Sequence, residues 1–275
     1  MAAATETPAE KSTPAGSRLR LMSCNILAGG SVRKYRHYLT EGWKQVLPMR
    51  SKRENLDRLA RLLAGFDIVG LQEADAGSLR SGFLNQTEYL AEVGGFPYWS
   101  HQPNRKIAQF AASSNGLIAR FKPAEVRDYA LPSRIPGRGA MWVRFDLGGE
   151  ELIVVVAHLS LGPQARARQL EFIADLIRPA PHAVLMGDFN CALDSPEMTQ
   201  LLRRTGMTPT HGAPPPTFPS WRPRRAIDHI LVSEKMEIEK LYTLPHIVSD
   251  HLPIAAEVRL PAPLRLPSSA ESSTP

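Results

Sequence analysis

Apolar residues in this chain gather into short runs that stop abruptly at polar groups. Six of these runs are RLRLMSCN (18–25), FDIVGLQE (66–73), LIVVVAHLS (152–160), HAVLMGDFN (182–190), AIDHILVS (226–233) and PIAAEVRL (253–260). Brief apolar runs bounded by turn-forming residues predict strands, several of them buried on both faces. NGLIARF (115–121), entered through an Asn-Gly turn signal, and AMWVRFDL (140–147) predict two more.

Elsewhere the apolar spacing lengthens to three and four. In SKRENLDRLARLLAGF (51–66), Leu56, Leu59, Leu62, Leu63 and Phe66 form one stripe, Ser51 and Glu54 match a capping box, and Gly65 offers an exit. GPQARARQLEFIADLI (162–177) opens with Pro163 near the first helical position and presents Leu170, Ile173 and Ile177 on one side, with Leu176 beside them. SPEMTQLLRRTG (195–206) repeats the device, with Ser195 as cap, Pro196 in the first turn and Gly206 at the exit. GFLNQTEYL (82–90) reads as a loop and helix start with no assignable chemistry. Strands outnumber helices, so the expected class is α/β, a sandwich of two sheets with helices outside; a doubly wound parallel sheet is the alternative.

Composition sets the boundaries. Residues 1–17 and 261–275 are rich in Ala, Pro, Ser, Thr and Glu and read as disordered tails around one domain at 18–260. No apolar stretch approaches the roughly 20 residues of a membrane span, and the start lacks the apolar centre of a secretory signal. Cys24 and Cys191 form no spaced framework, which suggests reduced thiols in a cytoplasmic protein. The net charge of +6 is matched by one segment, 31–61, with nine Lys or Arg against three acids. Such clustering suits a polyanionic partner; a solvated loop and helix face explains it equally well.

Six strand ends carry acids, amides or imidazoles: Asn25; Gln72 and Glu73; His158; Asp188 and Asn190; Asp228 and His229; Asp250 and His251. Singly, each has a plain structural explanation, as a turn cap, an exposed strand end or a hydrogen-bonded core histidine. Together, if their ends share one rim of a sheet, they suit a hard cation such as Mg²⁺, with Mn²⁺ as the variant. Zinc fits less well, because neither cysteine has a ligand spacing and no HxxxH or HExxH occurs. Carboxylates, imidazoles and Mg²⁺ together point to phosphoester hydrolysis.

CNIL, VGLQE, NGLIAR, AHLSLG, LMGDFN, AIDHILVS and SDHLPI, in that order, resemble the endonuclease/exonuclease/phosphatase superfamily from about Leu19 to Leu260. The resemblance implies a four-layer α/β/β/α sandwich of two mixed sheets flanked by helices. It implies that Glu73 is the principal Mg²⁺ ligand, with Asn25 and Asp250 as direct or water-mediated partners. Asp188 then positions or deprotonates the attacking water, Asn190 holds the water or a phosphate oxygen, and His251, oriented by Asp228, contacts the scissile phosphate. His158 matches the other phosphate-contacting histidine. In extended backbone, Asp188 and Asn190 would face the site together with Phe189 packed behind. Some DNA-repair members carry an acid two positions after the first Asn; Leu27 stands there in this chain, which puts a second metal position and a repair-type activity in doubt.

The substrate must be read from other residues. In TFPSWRPRRAIDH, Trp221 suits stacking on a base while Arg222, Arg224 and Arg225 track phosphates, and Arg138 in PGRGAMW extends that surface. The plainer explanation is a proline-stiffened loop anchored by its tryptophan. The expectation is a phosphodiesterase acting on nucleic acid, most simply a nuclease. A phospholipid headgroup or small phosphorylated metabolite is the alternative substrate, although only Trp43 and Trp99 offer a modest means of entering a bilayer. A non-catalytic phosphate-binding module is the alternative of another class. DNA or RNA, end or internal cleavage, one metal or two, and oligomeric state stay open.

Overall fold

In a computed structural model of the chain, the described residues are 17–26, 49–77, 84–107, 111–134, 137–210, 212–245, 249–262 and 264–266. In chain order the elements are β1 Arg18–Asn25, α1 Met49–Leu63, β2 Ile68–Asp75, α2 Gln86–Gly94, β3 Tyr98–Ile107, β4 Ala111–Ala119, β5 Glu125–Ala130, β6 Gly139–Leu147, β7 Glu150–His158, α3 Pro163–Ile177, β8 Ala183–Asp188, α4 Pro196–Thr205, β9 Asp228–Val232, β10 Glu237–Thr243 and β11 Ile254–Arg259. One sheet has the order β10-β11-β1-β2-β4-β3, and the other β5-β6-β7-β8-β9. Both mix parallel and antiparallel pairs: β1 is parallel to β2 and β7 to β8, and the remaining neighbours are antiparallel.

Three apolar layers show the stacking. Between the sheets lie Leu19, Leu21, Met141, Val143, Val154, Val156, Val184 and Met186 among others. A second layer packs α1 and α2 on the first sheet through Leu56, Leu59, Leu63, Leu90, Val69 and Leu71. A third packs α3 and α4 on the second sheet through Leu170, Ile173, Met198, Leu201, Val155 and Leu185. This is the α/β/β/α sandwich, and it explains why the central strands are apolar on both faces.

All eight expected strands are present, and three more appear. β3, β5 and β10 are edge strands, and edges keep polar residues that discourage pairing with other chains. β9 is also an edge, yet it is wholly buried, and Thr208 pairs with its Val232; its apolar run was visible for that reason.

Several local expectations need correction. Asn115 and Gly116 make no turn; they lie inside β4, paired with Gln102 and His101. Gly116 is required because a Cβ there would strike the Thr87 side chain of α2. Helix α1 starts at Met49, so Ser51 lies inside it and does not cap it. Pro163, Ser195, Pro196 and Gly206 take their expected terminal positions, and Asn85 caps α2. The stretch from 261 contributes Leu264 to the inter-sheet core, so it is not all tail. Residues 1–16 and 267–275, Leu27, Trp43 and most of the basic segment lie outside the described residues.

Candidate active site

Both sheets send strand ends to the same rim. Asn25 ends β1 beside Gln72 of parallel β2, while β11 is antiparallel to β1, which sets Asp250 and His251 next to Asn25. In the other sheet His158 pairs with Asp188, Asp188 pairs with Asp228, and β6 begins beside the end of β7, with Arg138 just before it. Gly187 permits this approach, because a Cβ there would collide with the Ala157 carbonyl.

Two non-glycine residues have left-handed backbone among those described, Glu73 (φ 56°) and Asn190 (φ 55°). Each such conformation costs on the order of 1 kcal/mol or more, and strain of this kind gathers at functional sites. Glu73 lies where the β2–β4 register shifts between Leu71 and Ala74, so a bulge turns it out of the ladder. For Asn190 the strand-alternation argument is corrected: β8 ends at Asp188, and a turn, not extended backbone, places Asn190. Its N–H donates to Asp188 Oδ1 at 3.0 Å, and its Nδ2 donates to the Leu159 carbonyl at 3.0 Å. Phe189 packs behind, fully buried, as expected.

Asp188 is the hub. Asn25 Nδ2 donates to its Oδ2 at 3.2 Å, His158 Nε2 lies 3.3 Å from the same oxygen, and His251 Nε2 lies 3.8 Å away. Burial, then the neighbouring Asp228, pushes its carboxyl up to about 7, against the pull of His251 and Asn25. His251 Nδ1 pairs with Asp228 Oδ2 at 2.8 Å, and Thr217 Oγ1 donates to the same oxygen. Burial opposes charging this imidazole, but Asp228 and then Asp188 hold it up at about 10, so it is a cation. His158 is the opposite case. Burial and the Arg138 guanidinium, whose Nη1 lies 2.6 Å from both ring nitrogens, hold it well below the ordinary imidazole range and neutral.

Glu73 lies 3.9 Å from His158 Nε2. Burial raises its carboxyl, Arg138 lowers it, and Asp250 raises it again. Asp250 is likewise raised by burial, with His251 pulling down and Asp228 pushing up. His229 stands apart: its Nε2 bonds the Cys191 carbonyl and its ring packs on Phe189, a structural role. Both cysteines are buried and free.

The loop before β9 supports the site more closely than its sequence revealed. Phe218 packs on His251 at 5.0 Å between centroids, and Arg225 lies over Phe218 at 5.7 Å. Ser220 N donates to the Asp250 carbonyl at 2.7 Å, and Ser249 Oγ accepts from His251 N at 3.0 Å. Thr217, Phe218 and Ser249 all lie inside or beside the motifs, but nothing in their spacing marked them. Arg222 and Arg224 are exposed, Trp221 is half-buried, and none of the three basic residues at 222, 224 and 225 pairs with a carboxylate among the described residues. Arg138 is drawn into the site itself.

A family model described as the Endonuclease/Exonuclease/phosphatase family matches residues 22–251. No curated protein is matched significantly by the sequence. Solved structures share the fold at low identity. An endonuclease/exonuclease/phosphatase from Beutenbergia cavernae has 20% identity and a TM-score of 0.69, covering 89% of this chain and 72% of that one. A mannosyl-6-phosphatase from Bacteroides thetaiotaomicron has 19% identity and a TM-score of 0.63, over 87% and 99% of the two chains. D. rerio TDP2, complexed with a single-strand DNA product, has 16% identity and a TM-score of 0.64, over 88% and 99%.

Proposed function

From the premise that the chain belongs to the endonuclease/exonuclease/phosphatase family of phosphoric ester hydrolases, we propose that it is a Mg²⁺-dependent phosphodiesterase acting on nucleic acid. The observation that carries the reaction is the buried Asp188 carboxylate lying between the neutral ring of His158 and the cationic ring of His251. A base near neutrality beside a fixed cation suits attack of water on a phosphate.

The donor set fits a hard cation. Glu73, Asp250 and Asn25 offer oxygens, and the two carboxylates are raised by burial and, in part, by other carboxylates, a conflict that a divalent ion relieves. Asp188, Asp228 and His251 also cluster closely enough for a metal. His251, however, is already committed to Asp228 at 2.8 Å, so we assign the ion to Glu73, Asn25 and Asp250. When bound, such an ion supplies positive charge against a phosphoryl oxygen and the leaving oxyanion.

The protein's own groups do the rest. Asn25 and the Asn190 N–H fix one oxygen each of Asp188, which holds the water and takes its proton. Asp228 orients His251 toward a phosphate oxygen, and Arg138 steadies neutral His158 beside it. Asn190 spends its amide N–H on Leu159, so it serves as a brace for Asp188 more than as a ligand to the phosphate.

Nucleic acid is favoured by the exposed Arg222 and Arg224 on the loop that packs against His251 and Asp250. The test is a panel of single- and double-stranded DNA, RNA, sugar phosphates, inositol phosphates and phospholipids with Mg²⁺ or Mn²⁺, with Asp188→Ala as control. Cleavage of a nucleic acid that EDTA abolishes is expected. Turnover that survives EDTA would remove the metal, and turnover of phosphomonoesters alone would move the substrate to a sugar phosphate or other small metabolite.

A further inference from the structure

Helix α3 carries two buried polar side chains, Arg166 and Gln169, three positions apart and so on one face. Both reach to the loop that leaves β7 after His158. Gln169 Oε1 accepts from Ser160 N at 2.9 Å, and its Nε2 donates to Ser160 Oγ at 2.9 Å. Arg166 Nη1 donates to the Leu161 carbonyl, while its Nε and Nη2 hold Glu197 Oε1 of α4 at 2.8 and 2.7 Å. The other side of the loop meets the reacting groups: Leu159 N donates to the Asp188 carbonyl at 2.9 Å, and its carbonyl accepts from Asn190 Nδ2.

The two helices do not need this buried ion pair to stay together. Leu170, Ile173, Met198 and Leu201 share an apolar layer, and Arg204 of α4 pairs with Glu171 and Asp175 of α3 at the surface. Burying Arg166 and Glu197 carries a desolvation cost that apolar residues of the same size would avoid, so their use here calls for a second role. What distinguishes the pair from Arg204 is the loop it grips.

We propose that Gln169, backed by the Arg166–Glu197 pair, is a positioning clamp that fixes residues 158–161 and thereby the placement of His158 and of Asn190 against Asp188. The proposal rests on the reading of the site given above. Its physical basis is that a misplacement of about 1 Å at a reacting group costs on the order of a hundredfold in rate.

Amide hydrogen exchange tests the clamp without any turnover. In Gln169→Ala, the N–H groups of Leu159 and Asn190, which do not bond Gln169, should exchange about tenfold faster, while that of Val155 in mid-β7 keeps its rate. Unchanged exchange at both sites, or equal acceleration along all of β7, overturns the clamp. The kinetic arm uses bis(p-nitrophenyl) phosphate with Mg²⁺. Gln169→Ala should lower kcat by about tenfold or more with KM within about twofold, and should add little in a His158→Ala background, since groups that act as a unit are not additive. Fully additive losses count against the clamp. Arg204→Ala, which removes the surface pairing alone, should leave kcat unchanged. Absence of turnover in the wild type would defeat the proposed reaction while the exchange arm still decides the clamp.

Discussion

Strand β2 starts beside one carboxylate and carries another near its end, and the fold treats the two in opposite ways. Asp67, just before the strand, receives Arg20 three times, from N at 2.8 Å, Nε at 3.3 Å and Nη2 at 3.0 Å. Arg120 closes the same corner by donating to the Phe66 carbonyl at 2.9 Å. Glu73, at the other end, lies in a bulge with strained backbone; burial raises its carboxyl, Arg138 draws it back down, and Asp250 raises it again. Among the described residues, one end of the sandwich pairs Asp67 with Arg20, while the other gathers four acids, Glu73, Asp188, Asp228 and Asp250, around Arg138 and His251. A fold tolerates such an imbalance where an ion or substrate completes it, at a cost in stability that the apolar layers absorb.

Removing a carboxylate from each end in turn should set the two ends of the sandwich apart. Asp188→Ala should lower phosphodiesterase kcat by roughly a thousandfold, the range of a lost general base, with the thermal midpoint within a few degrees of wild type. Asp67→Ala should do the reverse, leaving kcat within about twofold and lowering the midpoint by roughly 2–4 °C. That modest figure reflects Arg20 being half-exposed, so part of the pairing is screened by water. Thermal melts and steady-state rates on both variants decide it. A collapse of folding in Asp188→Ala would put that carboxylate in the same structural class as Asp67.

The sequence showed polar residues at both ends of FDIVGLQE but could not rank them, because Arg20 meets Asp67 only through strand pairing across 47 positions. The fold was largely legible, since buried central strands advertise themselves by continuous apolar runs. The edge strands β3, β5 and β10 hid behind charge, and Asn115-Gly116 imitated a turn because a tight helix contact also demands glycine. The acids and imidazoles of the rim were all visible as interruptions of apolar runs. Thr217 and Phe218 were not, since a hydroxyl on Asp228 and a ring against His251 depend on how a loop folds back, which no periodicity records. Gln169 and Arg166 were likewise concealed, occupying helix positions where polar residues ordinarily face water.

A smaller effect sharpens the same contrast through pH. In the proposed reaction Asp188 can take a proton only when ionised, so with its carboxyl raised to about 7 the rate should climb as pH passes that value. His251, if it meets the phosphate as proposed, does so as a cation, so the rate should fall as pH rises through about 10. Asp228 raises both groups, and Asp228→Asn should therefore move both limbs of the bell to lower pH, as read from kcat against pH at saturating Mg²⁺. The stability that His251 draws from its partner is complete below its ordinary value of 6.5 and is lost as pH rises toward 10. The variant should show less of that alkaline loss in melts. Limbs that stay in place would mean that Asp228 braces the loop without tuning the charges.

The smallest effect concerns the proposed substrate surface, where Arg222 and Arg224 are exposed and, among the described residues, pair with no carboxylate, unlike Arg20 on Asp67 beside β2. Arg222 and Arg224 are the sharper pair to change, because Arg225 lies over Phe218 and its loss would disturb His251 as well. If each of the two meets one phosphate of a single strand, Arg222→Ser with Arg224→Ser should reduce the slope of log affinity against log salt by about 1.4 in all. Hydrolysis of bis(p-nitrophenyl) phosphate, too small to reach them, should not change. Fluorescence anisotropy with a labelled oligonucleotide across a salt series measures the slope. Should the slope hold while both substrates are still cleaved, the positive loop is solvated decoration, and the reading of nucleic acid over a small phosphorylated metabolite loses its support.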